Sequence, residues 1–280
     1  MCPARIISVV ASLFLALGVL HAGPVTVGWY PILYAPGNWG SAIAANGFTG
    51  VPIADFSSFD FSTVDIVTLN NPLNGGVDPA VRGRLADLTA FVSGGGILII
   101  HDRWVEDTSW IPGGAALTLV RQTDLDLDVV TGGTKVTNGP FGTIDNSSLD
   151  AGTYSHHGWS TSVPAGTTVF LSAGSDPARA AAFMYALGAG YVYYSSIPLD
   201  YYQEGNGPNP PRENFVNIYA PNVLAYSADL LGPGGRSHSR TGHVRPTGLR
   251  LIRSDRSRAA APGPLGKSAQ RSKGAVNSGD

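Results

Sequence analysis

The residues best suited to chemistry stand together at 101–103. His101, Asp102 and Arg103 follow the apolar run ILII (97–100), which itself follows Gly94–Gly96. A histidine exchanges a proton near neutral pH, and an aspartate beside it can orient the ring or act as acid or base. Three readings compete. In the first, His101 bonds loop backbone and Asp102 pairs with Arg103 or caps the next turn. In the second, the cluster and Trp104 contact a small ligand such as a sugar or a carboxylate. In the third, His101 and Asp102 join His156 and His157 around a metal ion.

Three further stretches carry candidates. YSHHGWSTS (154–162) holds the adjacent pair His156 and His157. Neighbouring residues of a strand point to opposite faces, so one histidine at most turns toward His101 unless the stretch is a loop. A solvated loop with a packed tryptophan is the expectation. TDLDLD (123–128) places Asp124, Asp126 and Asp128 two apart, on one face of a strand. Three carboxylates on one face suit Ca²⁺, although a full site needs six or more oxygens and such a row equally serves to solvate a strand. Asp200 and Tyr201 end a late strand and share a cleft with His101 if the two strands are neighbours. The aromatic residues near strand ends either stack on sugars or fill the core.

These residues need elements to hold them. PVTVGWY (24–30), GVPIADF (50–56) and STVDIVTLNN (62–71) read as strands, with a short helix at 38–48 between the first two. Asp78 and Pro79 open a helix that Gly94–Gly96 stops, with Val81, Leu85, Leu88 and Val92 as its core-facing stripe. ILII is then a strand buried on both faces, as in a parallel sheet. The second half is strand-like with short turns, at 117–121, 125–130, 167–174 and in a hairpin over 179–196 turning at Gly188–Gly190. A helix over 214–231 closes the domain, kinked or divided at Pro221. The pattern predicts an α/β fold: a three-layer sandwich with a mostly parallel sheet and β-hairpins added in the second half.

Charge divides the chain. Residues 24–232 hold 7 Lys/Arg against 18 Asp/Glu, whereas 233–280 hold 10 against 2. An acidic body argues against nucleic-acid binding. Residues 1–22 carry Arg5, an apolar run over 6–20 and small residues, the pattern of a signal peptide. The expectation is therefore an exported domain with no transmembrane helix after processing. The single cysteine, Cys2, lies inside that segment. No thiol nucleophile, disulfide or cysteine metal ligand is expected beyond it. Residues 233–280 read as a disordered basic tail, rich in Gly, Pro, Ser and Arg.

The stretches LTAFVSGGGILIIHDRWV (88–105), VTNGPFGTI (136–144) and GYVYYSSIPLDYY (190–202), with the helix through 217–231, resemble the class I glutamine amidotransferase-like superfamily. The nearest flavour is ThuA-like, in the secreted branch that often carries a PEP-CTERM sorting signal. The resemblance implies a flavodoxin-like fold. It also implies a cysteine nucleophile on a tight turn after ILII and a later His-Pro-Glu. Here His101 stands in the nucleophile's place and Ile197-Pro198-Leu199 in the partners' place. The amidase chemistry is therefore not expected. The resemblance implies a non-catalytic binding or structural module of the envelope or extracellular matrix, with a small-molecule or glycan ligand and no cofactor. The alternative is a hydrolase or sugar-active enzyme using His101 and Asp102, with or without a metal. The tail begins where the sorting signal would sit, and is read as a frame-disrupted version of it or as a basic linker to an anionic surface.

Overall fold

The computed structural model describes residues 23–30 and 39–231. The signal-peptide and tail readings lie outside the described residues. The first half alternates strands and helices: β1 Thr26–Tyr30, α1 Gly40–Ala45, β2 Thr49–Pro52, β3 Ile66–Asn71, α2 Pro79–Arg82, α3 Leu85–Ser93 and β4 Ile97–Asp102. The second half adds β5 Thr118–Asp124, β6 Leu127–Val129, β7 Asn138–Gly139, β8 Gly142–Thr143, β9 His156–Ser162, β10 Thr168–Ala173, β11 Ala180–Leu187 and β12 Gly190–Ser195. Helices α4 Leu199–Gln203, α5 Pro211–Asn214 and α6 Ala220–Leu230 follow.

Ten strands form one sheet, ordered β2-β1-β3-β4-β12-β11-β10-β6, with β9 joined to β11 and β5 to β9. The pairs β1–β2, β1–β3, β3–β4 and β4–β12 are parallel. From β12 outward every pairing is antiparallel. This is the expected α/β class with hairpins added to a parallel sheet. No helix among the described residues is long and apolar enough to cross a membrane.

Strand parity explains the two cores. Ile97 and Ile99 of β4 enter the core on one face with Ile43 of α1 and Val223 and Leu224 of α6. Leu98 and Ile100 enter the core on the other face, with Val81 of α2 and Leu88 and Val92 of α3. Side chains alternate across a strand, so a strand covered on both faces must be apolar at every position. Burying each of these isoleucines and leucines stabilises the fold by about 1.5–3 kcal/mol.

Four elements differ from the expectations. Asp200 and Tyr201 do not end a strand: β12 stops at Ser195, and both residues lie in α4. The helix after Asp78 divides at Gly83–Arg84, because the Arg84 guanidinium donates to the carbonyls of Phe56, Ser57 and Phe59 and pulls that turn aside. The stretch around His156 is not a solvated loop but strand β9, antiparallel to β5, with His156 and His157 buried. TDLDLD is not one strand face either. Strand β5 ends at Asp124, β6 begins at Leu127, and the chain bends between them. Near the end of the described residues, Pro221 falls in the first turn of α6, where its missing N–H is tolerated, after a wide π-helical turn over Phe215–Tyr219.

Candidate functional site

The carboxyl ends of β3, β4 and β12 lie side by side, with Asn70, His101 and Ser195 in register. Open α/β sheets bind ligands at such ends. Parity sends His101 to the α1/α6 face and Asp102 to the opposite face. The two therefore do not form a dyad.

His101 is 1% exposed. Its ring centroid lies 5.6 Å from that of Trp39, 6.1 Å from Tyr193 and 5.7 Å from Tyr219. Neither ring nitrogen makes a hydrogen bond of normal geometry, although the Ile197 backbone is near enough to favour the proton weakly. Burial pushes its pKa down to about 3, so the ring is neutral at physiological pH. The surrounding polar groups bond one another instead. Trp39 Nε1 donates to Asn70 Oδ1 at 3.1 Å, and Asn70 Nδ2 to Gln203 Oε1 at 2.9 Å. The hydroxyls of Tyr193 and Tyr219 meet at 2.8 Å, and Tyr219 donates to Ser195 Oγ at 3.2 Å.

Asp102 is fully buried and serves as a cap. It accepts from Asn71 Nδ2 (2.8 Å), Tyr194 Oη (2.9 Å), Trp104 N (2.9 Å) and Val105 N (3.1 Å). Burial raises its pKa and the four donors oppose that rise. The turn it holds brings Val105 to φ 53, a conformation costly for a β-branched residue. Trp104 is turned elsewhere, with Nε1 donating to Glu106.

Arg103 pairs not with Asp102 but with Asp200, at 2.7 Å from Nη2 to Oδ2 and 3.1 Å from Nε to Oδ1. Its guanidinium carbon lies 5.6 Å from the Tyr201 ring centroid. The Arg103 carbonyl meets His157 Nδ1 at 3.1 Å. Burial raises Asp200 to about 6 against the pull of Arg103. Burial and then the Arg103 charge lower His157 to about 4. The structure thus brings together Arg103, His157, Asp200 and Tyr201, and leaves His101 and Asp102 sealed behind them.

His156 faces elsewhere. With Trp159, Asp124 and Asp126 it lines a surface cavity of about 310 Å³ closed by Gly174, Asp176 and Arg179. Asp128 is not in that lining; its carbonyl accepts from Ser172 Oγ. Among the described residues no three His, Cys, Asp or Glu side chains group as a metal ion requires. The reading that gathers His101, Asp102, His156 and His157 around a metal therefore fails on side-chain direction, and the Asp124/Asp126/Asp128 row fails on the break between β5 and β6. Sequence reasoning missed the His101 cage. The pairing of Tyr219 with Tyr193 depends on the sheet order.

No protein-family model and no curated protein matches the chain. Solved structures similar to it include the cytoplasmic protein STM1381 from Salmonella typhimurium LT2, at TM-score 0.48 and 9% identity, covering 73% of this chain and 98% of that one. Others are the exo-β-1,4-mannosidase Op5Man5 from Opitutaceae bacterium strain TAV5 (0.45, 11%, 73% and 36%) and a β-galactosidase from Rahnella sp. R3 (0.41, 14%, 74% and 31%). The chain thus spans about a third of the length of either glycosidase. These likenesses concern a loosely shared α/β arrangement and say nothing of the site.

Proposed function

We propose that this chain is an exported, non-catalytic binding or structural module, built on an amidotransferase-like scaffold whose strand tip has become core. The observation that carries the reading is the closed tip of β4. His101, in the nucleophile's place, is 1% exposed inside an aromatic cage. The amides after it are occupied: Arg103 N donates to Asn71 O, while Trp104 N and Val105 N donate to Asp102. An oxyanion hole needs such donors free and aimed at the reacting oxygen. Ile197 and Leu199, in the place of the partner histidine and acid, are buried apolar residues. Export rests on the pattern of residues 1–22, and envelope or matrix localisation follows from it.

The second reading, a hydrolase or sugar-active enzyme working through His101 and Asp102, is the alternative outcome of one experiment. The full chain is assayed for glutaminase activity and against nitrophenyl glycosides and esters, beside H101A. No turnover is expected. Turnover in the wild type that H101A abolishes would replace the binding reading with the enzymatic one.

A further inference from the structure

The corner between β5 and β6 holds a polar cavity that the closed strand tip does not use. Asp124 ends β5 and Asp126 precedes β6 on either side of the exposed Leu125. Two strands deep, β9 contributes His156 and Trp159, whose rings meet edge to face at 6.3 Å. A regular strand would send residues three apart to opposite faces. Here both rings nonetheless line one cavity, beside a register shift in the β5–β9 ladder between Arg121 and Asp124. The turn between β10 and β11 forms the far wall, with Gly174, Asp176 and Arg179.

The cavity's floor is an unanswered polar group. His156 has no exposed surface; the Gly158 backbone is near enough to favour its proton weakly, but neither ring nitrogen makes a hydrogen bond of normal geometry. Buried polar groups are nearly always paired, so an orphan at the base of an open cavity calls for a partner from outside. Burial, the leading influence, lowers its pKa against the pull of Asp124 and Asp126, leaving a neutral ring with one lone pair free to accept. Around it stand three carboxylates and one guanidinium. Asp124 Oδ1 accepts from Leu125 N, and Asp176 is bound to Ala178 N and faces Arg179 Nε at 3.4 Å. Among the described residues nothing donates to the Asp126 carboxylate, which lies against Gly174. The Trp159 ring already carries a cation, with the Arg179 guanidinium 4.9 Å from its centroid.

We propose that this cavity binds a small organic cation through a primary ammonium group, with Asp126, Asp124 and the free nitrogen of His156 as its acceptors. An ammonium brings three donors and no acceptor, which matches carboxylates and a neutral imidazole. A divalent metal needs converging oxygens, and the side chains here do not group that way. A neutral polyol would leave two desolvated carboxylates without compensating charge. The volume of about 310 Å³ is at the lower end for ligand pockets, so the ligand is a small molecule rather than a polymer. This goes beyond the function proposed above and is independent of it, because it is read by binding and not by turnover.

The test is calorimetric titration of the full chain at pH 7.5 with cadaverine, alongside 1,5-pentanediol, N-acetylglucosamine and calcium. Saturable one-to-one binding of cadaverine alone is expected. D126N should weaken it by about tenfold, the loss of one charge-assisted hydrogen bond. H156F should weaken it as well, and D128N should leave it unchanged. Asp126 is exposed, so D126N should melt like the wild type, which separates loss of binding from loss of fold. Absence of cadaverine binding, equal binding by D126N, or binding of the diol, the sugar or calcium that D126N abolishes would each overturn the proposal.

Discussion

Asp200→Asn should stabilise the protein at neutral pH, although it removes one half of a buried ion pair. Asp200 lies behind Arg103, with its side chain 3% exposed. Its pKa is raised from the ordinary 3.8 to about 6, first by burial, with Arg103 pulling the other way. The desolvation of the carboxylate therefore outweighs the attraction of its partner. The folded state holds this proton more tightly than the unfolded chain. The contribution of Asp200 to stability is therefore full below pH 3.8 and is lost as pH rises through 6. A shift of about two pKa units corresponds to ~3 kcal/mol. Asparagine keeps the shape of the protonated carboxyl and never ionises. D200N and the wild type should thus unfold alike in urea at pH 4, and D200N should gain ~2–3 kcal/mol by pH 7.5. Arg103→Met should act in the opposite sense at pH 7.5, since it strands the carboxylate without a counter-charge, at a cost of about 3–5 kcal/mol. A difference between D200N and wild type that does not change with pH, or a D200N protein less stable than wild type at pH 7.5, would refute the reasoning.

His101→Phe should fold and should be no less stable than the wild type, because it fills the cage of Trp39, Tyr193 and Tyr219 without an orphaned ring nitrogen. The His101 pKa is lowered to about 3, so its contribution is full above pH 6.5 and falls as pH drops through that window; H101F should show a shallower loss of melting temperature between pH 6.5 and 4. Arg84→Met removes hydrogen bonds to three carbonyls and should cost about 2–4 kcal/mol in a denaturant titration. His101→Cys should give a thiol that resists iodoacetamide in the native protein beyond the background of Cys2, and reacts in urea; rapid native labelling would show that the strand tip is open.

The parallel half of the fold was legible because its strands announce themselves twice, by apolar runs and by the caps between them. Asp78 and Pro79 marked a helix start, and ILII could only be a strand covered on both faces. Strand β9 was not legible. Its sequence HHGWSTS has little apolar pattern: Trp159 is its one large buried hydrocarbon, while His157 meets the Arg103 carbonyl, Ser160 donates to Thr118 O and the Gly158 carbonyl accepts from Ser196. The break in TDLDLD was hidden for the opposite reason. An alternating pattern predicts a continuous strand, whereas Asp150 Oδ1 takes the Leu127 amide and Asp124 caps Leu125, which bends the chain. The Arg103–Asp200 pair joins residues 97 apart in sequence, and only the adjacency of β4 and β12 brings them together.

The closed tip does not depend on the side chain at position 101 alone. In β4 the ladder to β3 continues through His101 and Asp102, opposite Asn70 and Asn71. That extension binds the Arg103 amide to Asn71 O and fixes the parity that separates His101 from Asp102. The next amides are then consumed by Asp102 itself, which folds the chain back over the strand end. A tip that served a tetrahedral intermediate would need the reverse: a strand that ends early, a turn with amides pointing outward, and a nucleophile lifted clear of the sheet. Each of these three conditions fails here through a different set of contacts. A thiol placed at 101 would still meet no free donors, because Arg103 N, Trp104 N and Val105 N remain bound. Binding chemistry on this chain therefore has to be sought away from His101, where polar side chains face open space: in the cavity under Asp124 and Asp126.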